Sequence, residues 1–350
     1  MKRTIKKVTG KRSGEKTGKV SGTKGLPRFI ERFAGKKICV VGDIIADVFI
    51  LGKPYRLSRE APVVVVKYEG SKVYPGSAGN TINNLAALGA RVYPIGFVGG
   101  DSIGNKLMDF FSGEKGIDTG GIIRHSGGTI TKTRILAGDT HVSKQQVIRI
   151  DRDEAGRRSA KEKGLFMEKL AAICPHMDAV VVSDYGHGAV GSKVIEYMKI
   201  LANDKIVVGD SRYNLKRFAG FTIITPNESE AYALSGIAED RPIEEVGERI
   251  METMRLASLL VTRGNRGMTL FLKDGMAYNI PISGKDDVTD VTGAGDTVCA
   301  AVALSLASGA DFLDASRIAN YAAGIVVMKR GTATVTVDEL KRSIENGGVL

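Results

Sequence analysis

Short runs of β-branched residues alternate with helix-like stretches along most of this chain, and this alternation constrains its fold more than any other feature. The runs predict six strands, at residues 38–41, 92–97, 179–183, 205–208, 222–225 and 258–262. The stretches between them predict helices at 81–88, 103–111, 194–202, 243–254 and 315–328. Strands that alternate with helices are typical of a parallel sheet covered on both faces. We therefore expect a three-layer α/β/α fold with a mainly parallel central sheet.

Two segments interrupt the alternation. Residues 47–75 hold three prolines around the run Val63 to Val66, and residues 129–150 alternate polar and apolar side chains. Period-two alternation is typical of antiparallel strands with one exposed face. We expect both segments to form antiparallel strands that are added to the main sheet as a small β-sheet lid over its edge.

The positive charge of the chain is concentrated at its N-terminus. The 350 residues carry a formal net charge of +11, of which residues 1–28 contribute +9 through ten Lys or Arg and one Glu. A segment rich in Lys, Gly and Thr with few apolar residues is expected to be disordered. We divide the chain into this basic tail, 1–28, and one domain, 29–350. Nucleic acid is not expected as a partner beyond a weak effect of the tail.

Targeting signals and cysteine usage favour a cytoplasmic protein. No apolar segment has the length of a signal h-region after the early lysines or of a membrane span. Cys39, Cys174 and Cys299 are odd in number and far apart, without metal-ligand spacing. They are expected to be core thiols in a reducing compartment, and no membrane association is expected.

The motif DVTGAGDT, residues 290–297, stands directly before ten residues without Gly or Pro, 298–307. Small apolar helix formers throughout that run predict a buried helix. The first N–H groups of a helix lack backbone partners and its dipole is positive there, so the motif is placed to bind an anion. Glycines let the backbone approach that anion closely.

Other motifs are compatible with structural or functional roles. No Walker-type loop is present, because Asn105 stands where the lysine is required. Residues 186–191, GHGAVG, match the GxGxxG pattern of a dinucleotide-binding loop and keep an NAD-dependent oxidoreductase open as an alternative. Asn227 and Glu230 have the spacing of a helix capping box. Residues 261–267 can be a glycine-bearing turn between two strands.

Taken together, the motifs resemble a known family. VVGDIIAD, GSAGNTINNLAALGA, SDYGHGAV, TPNESE, VTRGNRG and DVTGAGDT occur in the order and approximate spacing found in the PfkB, or ribokinase-like, carbohydrate kinases. More narrowly, YRLSREAPVVVV, TKTRIL with QQVIRID, and YAAGIVVMKRGTATVT resemble the D-glycero-β-D-manno-heptose 7-phosphate kinase branch. The resemblance implies the ribokinase-like fold, ATP and Mg²⁺ as cofactors, and phosphorylation of that sugar phosphate at its anomeric hydroxyl to the 1,7-bisphosphate.

The resemblance also implies roles for single residues. Asp296 is implied to accept the proton of the sugar hydroxyl, and the backbone N–H groups of Gly293, Ala294 and Gly295 to hold the phosphoryl group. We expect a carboxylate at this helix end to stay ionised and to be a weak base. Phosphoryl transfer tolerates a weak base because its transition state is loose.

The remaining implied ligands fall into three groups. The implied substrate ligands are Asp43, Asp47, Gly76 and Asn80, with Arg134 and Arg149 of the lid for a substrate phosphate. The implied nucleotide ligands are Asn227, Thr262, Arg263, Gly264 and Gly267. Glu230 is implied to bind Mg²⁺ indirectly, and Asp290 to lie near a monovalent-cation site, such as a K⁺ site. For the two arginines, a solvated strand face is an equally good explanation.

The chain departs from the heptose kinases on the acceptor side. Ser77 replaces a glycine, His187 replaces a lysine, and Asp210-Ser211-Arg212 replaces Asp-Pro-Lys. A kinase for another sugar or sugar phosphate, of the fructose or ribose type, therefore stays open, as does a non-catalytic sugar-binding protein. Many relatives pair through the lid, which implies a homodimer. Since none of the four histidines forms an HxGH motif, we expect a kinase without a nucleotidyltransferase domain.

Overall fold

The computed structural model describes residues 25–138, 144–153, 158–283, 289–329 and 331–347. Most of the predicted basic tail, residues 1–24, and residues 139–143 of the predicted lid lie outside the described residues. The strands are β1 (Lys37–Gly42), β2 (Ile44–Leu57), β3 (Val64–Ser77), β4 (Arg91–Gly99), β5 (Ile122–His125), β6 (Thr131–Ala137), β7 (Gln145–Arg152), β8 (Ala179–Asp184), β9 (Ile206–Ser211), β10 (Ile223–Ile224), β11 (Ser258–Thr262), β12 (Met268–Leu272) and β13 (Ala277–Ile280). The α-helices are α1 (Pro27–Ile30), α2 (Ala78–Ala87), α3 (Ser102–Gly113), α4 (Ala160–Ile173), α5 (Ser192–Leu201), α6 (Glu228–Ser235), α7 (Ile243–Met254), α8 (Ala294–Ala307), α9 (Phe312–Val326) and α10 (Val337–Glu345).

A nine-stranded sheet forms the middle layer, in the order β13-β12-β11-β10-β9-β8-β1-β4-β5. All neighbours from β11 to β5 pair in parallel, and β12 and β13 are added antiparallel at one edge. The predicted strands and helices are all present, which confirms the mainly parallel sheet. Side chains of β1 alternate between two apolar layers, because a strand buried on both faces has apolar residues at every position.

Helices cover both faces of this sheet. The helices α4, α5, α6 and α7 contribute to the core on one face, and α1, α2, α3, α8, α9 and α10 to the core on the other. Helix α8 is buried from Asp296 to Leu306, as its uniformly small and apolar sequence predicts. The cysteines Cys39, Cys174 and Cys299 are free thiols inside these cores, as expected.

The lid segments form a small second sheet, which confirms the predicted β-sheet lid, although its strands are not added to the main sheet. Its order is β3-β2-β6-β7, with β2 parallel to β6 and the other two pairs antiparallel. Strand β2 begins after the single residue Asp43 that follows β1. Because β1 already pairs with β4 and β8 on its two sides, the chain that leaves it has no free edge of the central sheet to join.

The described residues begin at Gly25, just before the predicted domain boundary. Leu26 is 1% exposed, and α1 places Phe29 and Ile30 in the core. Within the residues that the structure describes, no helix is long and apolar enough to span a membrane.

Candidate active site

Polar side chains collect where the parallel strands of the central sheet end. Asp43 follows β1, and Asn227 follows β10. Asp184 is the last residue of β8, Thr262 is the last residue of β11, and Asp210 is the last but one of β9. The carboxyl ends of parallel strands lie at one edge of a sheet, which is the usual place for a ligand in such folds. The site is therefore set by the topology, from segments far apart in the sequence.

The N-terminus of α8 opens into this edge. Gly293 is its N-cap with φ 81°, and a β-carbon there would collide with the amide of Asn80. A β-carbon at Gly295 would meet no atom within 4 Å, so the space in front of the helix end is open. Gly293 thus provides a backbone conformation that other residues rarely adopt, and the helix end is shaped to accept an anion.

Asp296, in the first turn of α8, is held from two sides. Tyr185 donates its hydroxyl to Oδ1 at 2.8 Å, and Asn80 donates its amide to Oδ2 at 2.9 Å. The residue is only 5% exposed, and burial raises the pKa of its carboxyl to about 6, against the lowering effect of the two hydrogen bonds. The carboxylate is therefore a stronger base than a position at a helix end alone would predict, because burial raises its pKa. Near neutral pH the carboxylate is mainly ionised and is a better proton acceptor than an ordinary aspartate.

The amide of Asn80 is fixed by contacts within the protein, of which the one to Asp296 is the first. Its amide also donates to the carbonyl of Gly293 at 3.3 Å, and Asn84 donates to the side-chain oxygen of Asn80 at 3.2 Å. Thr297 in turn donates to Asn84 at 3.1 Å. This buried chain between α2 and α8 fixes the amide orientation of Asn80. No motif in the sequence pointed to Asn84, although it lies one helical turn after Asn80.

Three of the predicted substrate ligands lie together. Arg134 donates to Oδ1 of Asp47 at 2.5 Å, and a β-carbon at Gly76 would collide with the other oxygen of Asp47. Asp47 is 4% exposed, so this ion pair is largely removed from water. Arg149 lies directly opposite Arg134 in the β6–β7 register, but its half-exposed guanidinium pairs with Asp151. Arg149 therefore lies on a solvated strand face, whereas Arg134 does not.

Lys132 is a site residue that sequence analysis did not identify. Burial lowers the pKa of its ammonium group, and the nearby carboxylate of Asp47 opposes that change. Its charge also lowers the pKa of Asp296. The period-two pattern of the TKTRIL motif places Lys132 on the same strand face as Arg134, and this signal predicts a pair of cations there. Arg212 faces Lys132 from the end of β9.

The GHGAVG loop binds a carboxylate of the protein itself. The backbone N–H groups of Tyr185, His187 and Ala189 donate to Asp43, each at 3.0 Å, and Asp43 is 3% exposed. These N–H groups are directed at Asp43 and so do not form the pyrophosphate cradle that a dinucleotide-binding loop requires. The oxidoreductase alternative is thereby overturned. Asp43, predicted as a sugar ligand, lies beneath the loop.

A row of carboxylates continues from Asp296 along the strand ends. Burial raises the pKa of Asp210 well above its usual range, and the negative charges of Asp296, Glu230 and Asp184 raise it further. Burial also raises the pKa of Glu230. Among the described residues, no three His, Cys, Asp or Glu side chains are grouped to hold a metal ion. The row suits Mg²⁺ that arrives with phosphates and keeps part of its water shell.

The predicted nucleotide ligands occupy the next strand ends. Asn227 and Glu230 form a complete capping box at α6, with both reciprocal hydrogen bonds at 2.9 Å. Thr262 bridges to Asn227 and leads into the turn between β11 and β12. In that turn Gly264 and Gly267 have φ values of 58° and 77°. The structural explanation of both motifs is thus correct, and a nucleotide role for them stays a prediction.

The predicted ligand side chains of Arg263 and Asp290 both make hydrogen bonds within the protein. Arg263 donates to Glu228 at 3.2 Å and to the hydroxyl of Thr269 at 3.2 Å. Asp290 accepts the backbone N–H groups of Thr292 and Gly331, both at 2.9 Å. Asp290 therefore joins the segment before α8 to the segment after α9.

Sequence comparison assigns the family. The model described as pfkB family carbohydrate kinase matches residues 35–339. The bifunctional protein HldE of Geobacter sulfurreducens is 40% identical over 311 residues, which cover 87% of this chain and 62% of that protein. HldE of Caulobacter sp. is 38% identical, with 90% of this chain and 63% of that protein covered. The chain thus spans about three fifths of the length of these curated relatives.

Structural comparison agrees on the fold. A ribokinase of Arabidopsis thaliana, solved with ribose and ATP, superposes with a TM-score of 0.69 at 18% identity, covering 89% of this chain and 99% of that chain. Phosphofructokinase-2 of Escherichia coli, solved with substrates and products, gives a TM-score of 0.73 at 15% identity with the same coverage. The arrangement is ribokinase-like, with its mainly parallel sheet and second small sheet. With the family match over most of its length, this chain belongs to the pfkB family of carbohydrate kinases.

Proposed function

We propose that this chain transfers the γ-phosphoryl group of ATP to D-glycero-β-D-manno-heptose 7-phosphate, at the anomeric hydroxyl. The observation that carries the proposal is the position of Asp296 at the N-terminus of α8, with the cation Lys132 close to it and Arg134 paired with Asp47 on the same face of the small sheet. A base, an anion site and positive charge for a second phosphate then lie within one edge of the sheet. The choice of heptose 7-phosphate among possible sugar substrates rests on the motif resemblance and on the HldE relatives.

In the proposed reaction Asp296 accepts the proton of the attacking hydroxyl. The proton is lost late in phosphoryl transfer, so a carboxylate with a pKa of about 6 is sufficient. The N–H groups at Gly293 to Gly295 stabilise negative charge on the transferred group, since the helix end is positive. Lys132 balances the charge that gathers around the base.

The acceptor has a cavity of suitable size and charge. A cavity of about 830 Å³ lies between the small sheet and the segment around Asp290. Arg134 lines it, together with Lys72 and Lys144. Cationic side chains on two strands of the small sheet, and just before a third, favour a phosphorylated sugar over a neutral one.

ATP and Mg²⁺ are the proposed cofactors. The turn at Thr262 to Gly267 would hold the nucleotide, and Glu230 with Asp210 would face Mg²⁺ through its water shell. Mg²⁺ bound to the phosphates would neutralise part of the charge in transfer. The monovalent cation near Asp290 stays a prediction, because both carboxylate oxygens there accept backbone N–H groups.

ADP release from Mg-ATP across matched acceptors tests the proposal. The panel pairs heptose 7-phosphate with the same heptose lacking the phosphate, and fructose 6-phosphate with fructose, and adds fructose 1-phosphate and ribose. We expect turnover of the heptose phosphate with kcat/KM at least about 100-fold above the neutral heptose, the worth of two charge-assisted hydrogen bonds. Preference for a neutral sugar would contradict the proposed substrate but would still be consistent with a sugar kinase.

We also propose that the chain forms a homodimer through the small sheet. Of the large apolar side chains exposed in the described residues, most lie on or beside this sheet: Tyr55, Leu57, Val63, Val64, Tyr68, Val147, Ile148 and Ile150. An apolar sheet face with exposed edge strands favours a second copy as its cover.

Sedimentation velocity measures the oligomeric state. We expect a dimer for the unmodified chain and a monomer for Leu57→Glu, because a charge would be buried at the interface. The matched control is Ile200→Glu, since Ile200 is equally exposed, at 70%, but lies on α5. A monomeric unmodified chain, or loss of the dimer in both variants, would contradict an interface on the small sheet.

A further inference from the structure

The loop that follows β8 is built around the carboxylate of Asp43. The residues that donate to it, Tyr185, His187 and Ala189, alternate with Gly186 and Gly188, whose φ values are 80° and 91°. Alternation of ordinary and left-handed backbone turns successive N–H groups towards one point and forms an anion-binding nest. Glycine is needed at the two intervening positions because side chains strongly disfavour this backbone.

The same loop carries the hydrogen-bond donor of the catalytic base. The backbone of Tyr185 is fixed by Asp43, and its hydroxyl reaches Oδ1 of Asp296 at 2.8 Å. The ring packs against the buried pair Ile45 and Ile130. The tyrosine thus joins the end of β1 to the start of α8.

We propose that Tyr185 is a positioning residue that orients the carboxylate of Asp296 and stabilises its ionised form, and that Asp43 acts by holding the loop of Tyr185. This inference rests on the proposed role of Asp296 as the base. It differs from the sugar-binding role that the family resemblance implies for Asp43. With three N–H groups on its two oxygens, Asp43 has little capacity left for a sugar hydroxyl.

The ionisation of Asp296 depends on all the groups that face it. Besides Tyr185 and Asn80, these are Asp47 on β2, Lys132 on β6, Asp210 on β9 and Cys299 on α8. Burial and Asp47 favour the protonated form, whereas Asn80, Tyr185 and Lys132 favour the carboxylate. Since only the ionised base accepts a proton, kcat/KM should rise with pH through about 6 and fall below it.

Replacing Tyr185 by Phe tests the hydroxyl alone, because the ring and its packing are kept. We expect the acid limb of kcat/KM to move to higher pH by on the order of one unit, the effect of one hydrogen bond to a charged group. The loss of activity should shrink as the pH rises. The matched control is Tyr213→Phe, which changes an exposed tyrosine beside the same loop and should leave the profile unchanged.

A merely structural tyrosine would give a loss that is equal at every pH, and this result would overturn the proposal. The role of Asp43 is tested by Asp43→Asn alone and combined with Tyr185→Phe. The asparagine replaces one acceptor oxygen by an NH₂ donor, so it cannot accept all three N–H groups and should release the loop. The acid limb of kcat/KM should then move to higher pH, as for Tyr185→Phe. If Asp43 acts through Tyr185, the double variant should move the acid limb no further than Tyr185→Phe alone. Additive shifts of the acid limb would overturn the proposal that Asp43 acts through Tyr185.

A readout without turnover separates this inference from the proposed function. The carboxyl carbon of Asp296, assigned through Asp296→Asn, is titrated by NMR in ¹³C-aspartate-labelled protein. Tyr185→Phe should raise its pKa whether or not the sugar is the assumed one. An unchanged pKa overturns the inference, whereas full turnover by Asp296→Asn overturns the role of the base and leaves the titration result standing.

Discussion

Replacing Asp296 by Asn should lower kcat roughly 10²- to 10⁴-fold, the usual contribution of a positioned general base. The KM values for ATP and sugar should change little, because the amide has the shape of the carboxylate and the helix end is intact. An asparagine can still accept from Asn80 and donate to the hydroxyl of Tyr185, so the local geometry is kept. Steady-state kinetics with both substrates measures the effect.

The same variant should be more stable than the unmodified chain at neutral pH. Burial raises the pKa of Asp296 to about 6, above the value of an aspartate in an unfolded chain. The folded state therefore binds the proton more tightly, and the ionised carboxylate opposes folding. The gain in thermal midpoint should be largest above pH 6 and vanish at lower pH, where the carboxyl is protonated in both states.

Asp314→Asn is a matched control for Asp296→Asn. Asp314 is also the third residue of its helix, the neighbouring α9, and burial also raises the pKa of its carboxyl. It lies away from the strand ends, so turnover should stay at the level of the unmodified chain. Near-normal turnover of Asp296→Asn in a folded protein would remove Asp296 from the mechanism.

Replacing Arg134 by Met should lower kcat/KM for a phosphorylated sugar about 10- to 100-fold, the worth of one hydrogen bond between charged groups. The variant removes the partner of Asp47 at 2.5 Å and leaves a carboxylate that is 4% exposed without its counter-charge. It also removes a cation from the acceptor cavity. The KM for ATP should stay constant, because the proposed nucleotide site uses other strand ends.

Arg149→Met controls for the loss of a positive charge on the same sheet. Arg149 is the register partner of Arg134 but pairs with Asp151 at the exposed edge. We expect little change in kcat/KM. Equal losses in the two variants would indicate a long-range charge effect and contradict a specific role of Arg134.

Much of the central fold was predictable from the sequence. Strands buried on both faces are short apolar runs, and β1, β8 and β11 have this composition in their central residues. The small sheet was predicted as a lid of antiparallel strands, but its separation from the main sheet was not, because periodicity does not state which sheet a strand joins. That choice depends on the free edges around β1, which exist only in the folded chain.

The candidate site was predicted in part. The GAGD motif and the glycines around it identify Asp296, because their chemistry is local to one helix start. Lys132 was not identified, although its alternation with Arg134 carried the signal. Asp43 was assigned to the sugar and Arg149 to the phosphate, and their contacts in the structure are with the loop at Tyr185 and with Asp151.

By itself the sequence determined the order of strands and helices, the buried character of α8 and the glycine-rich start of that helix, because these depend on neighbours along the chain. Only the tertiary structure decided the ionisation of Asp296 and the partner of the GHGAVG loop. Both depend on burial and on groups more than one hundred residues away, such as Tyr185 for Asp296 and Asp43 for the loop. Desolvation and long-range hydrogen bonds arise when the sheet brings its strand ends together, and no local pattern records them.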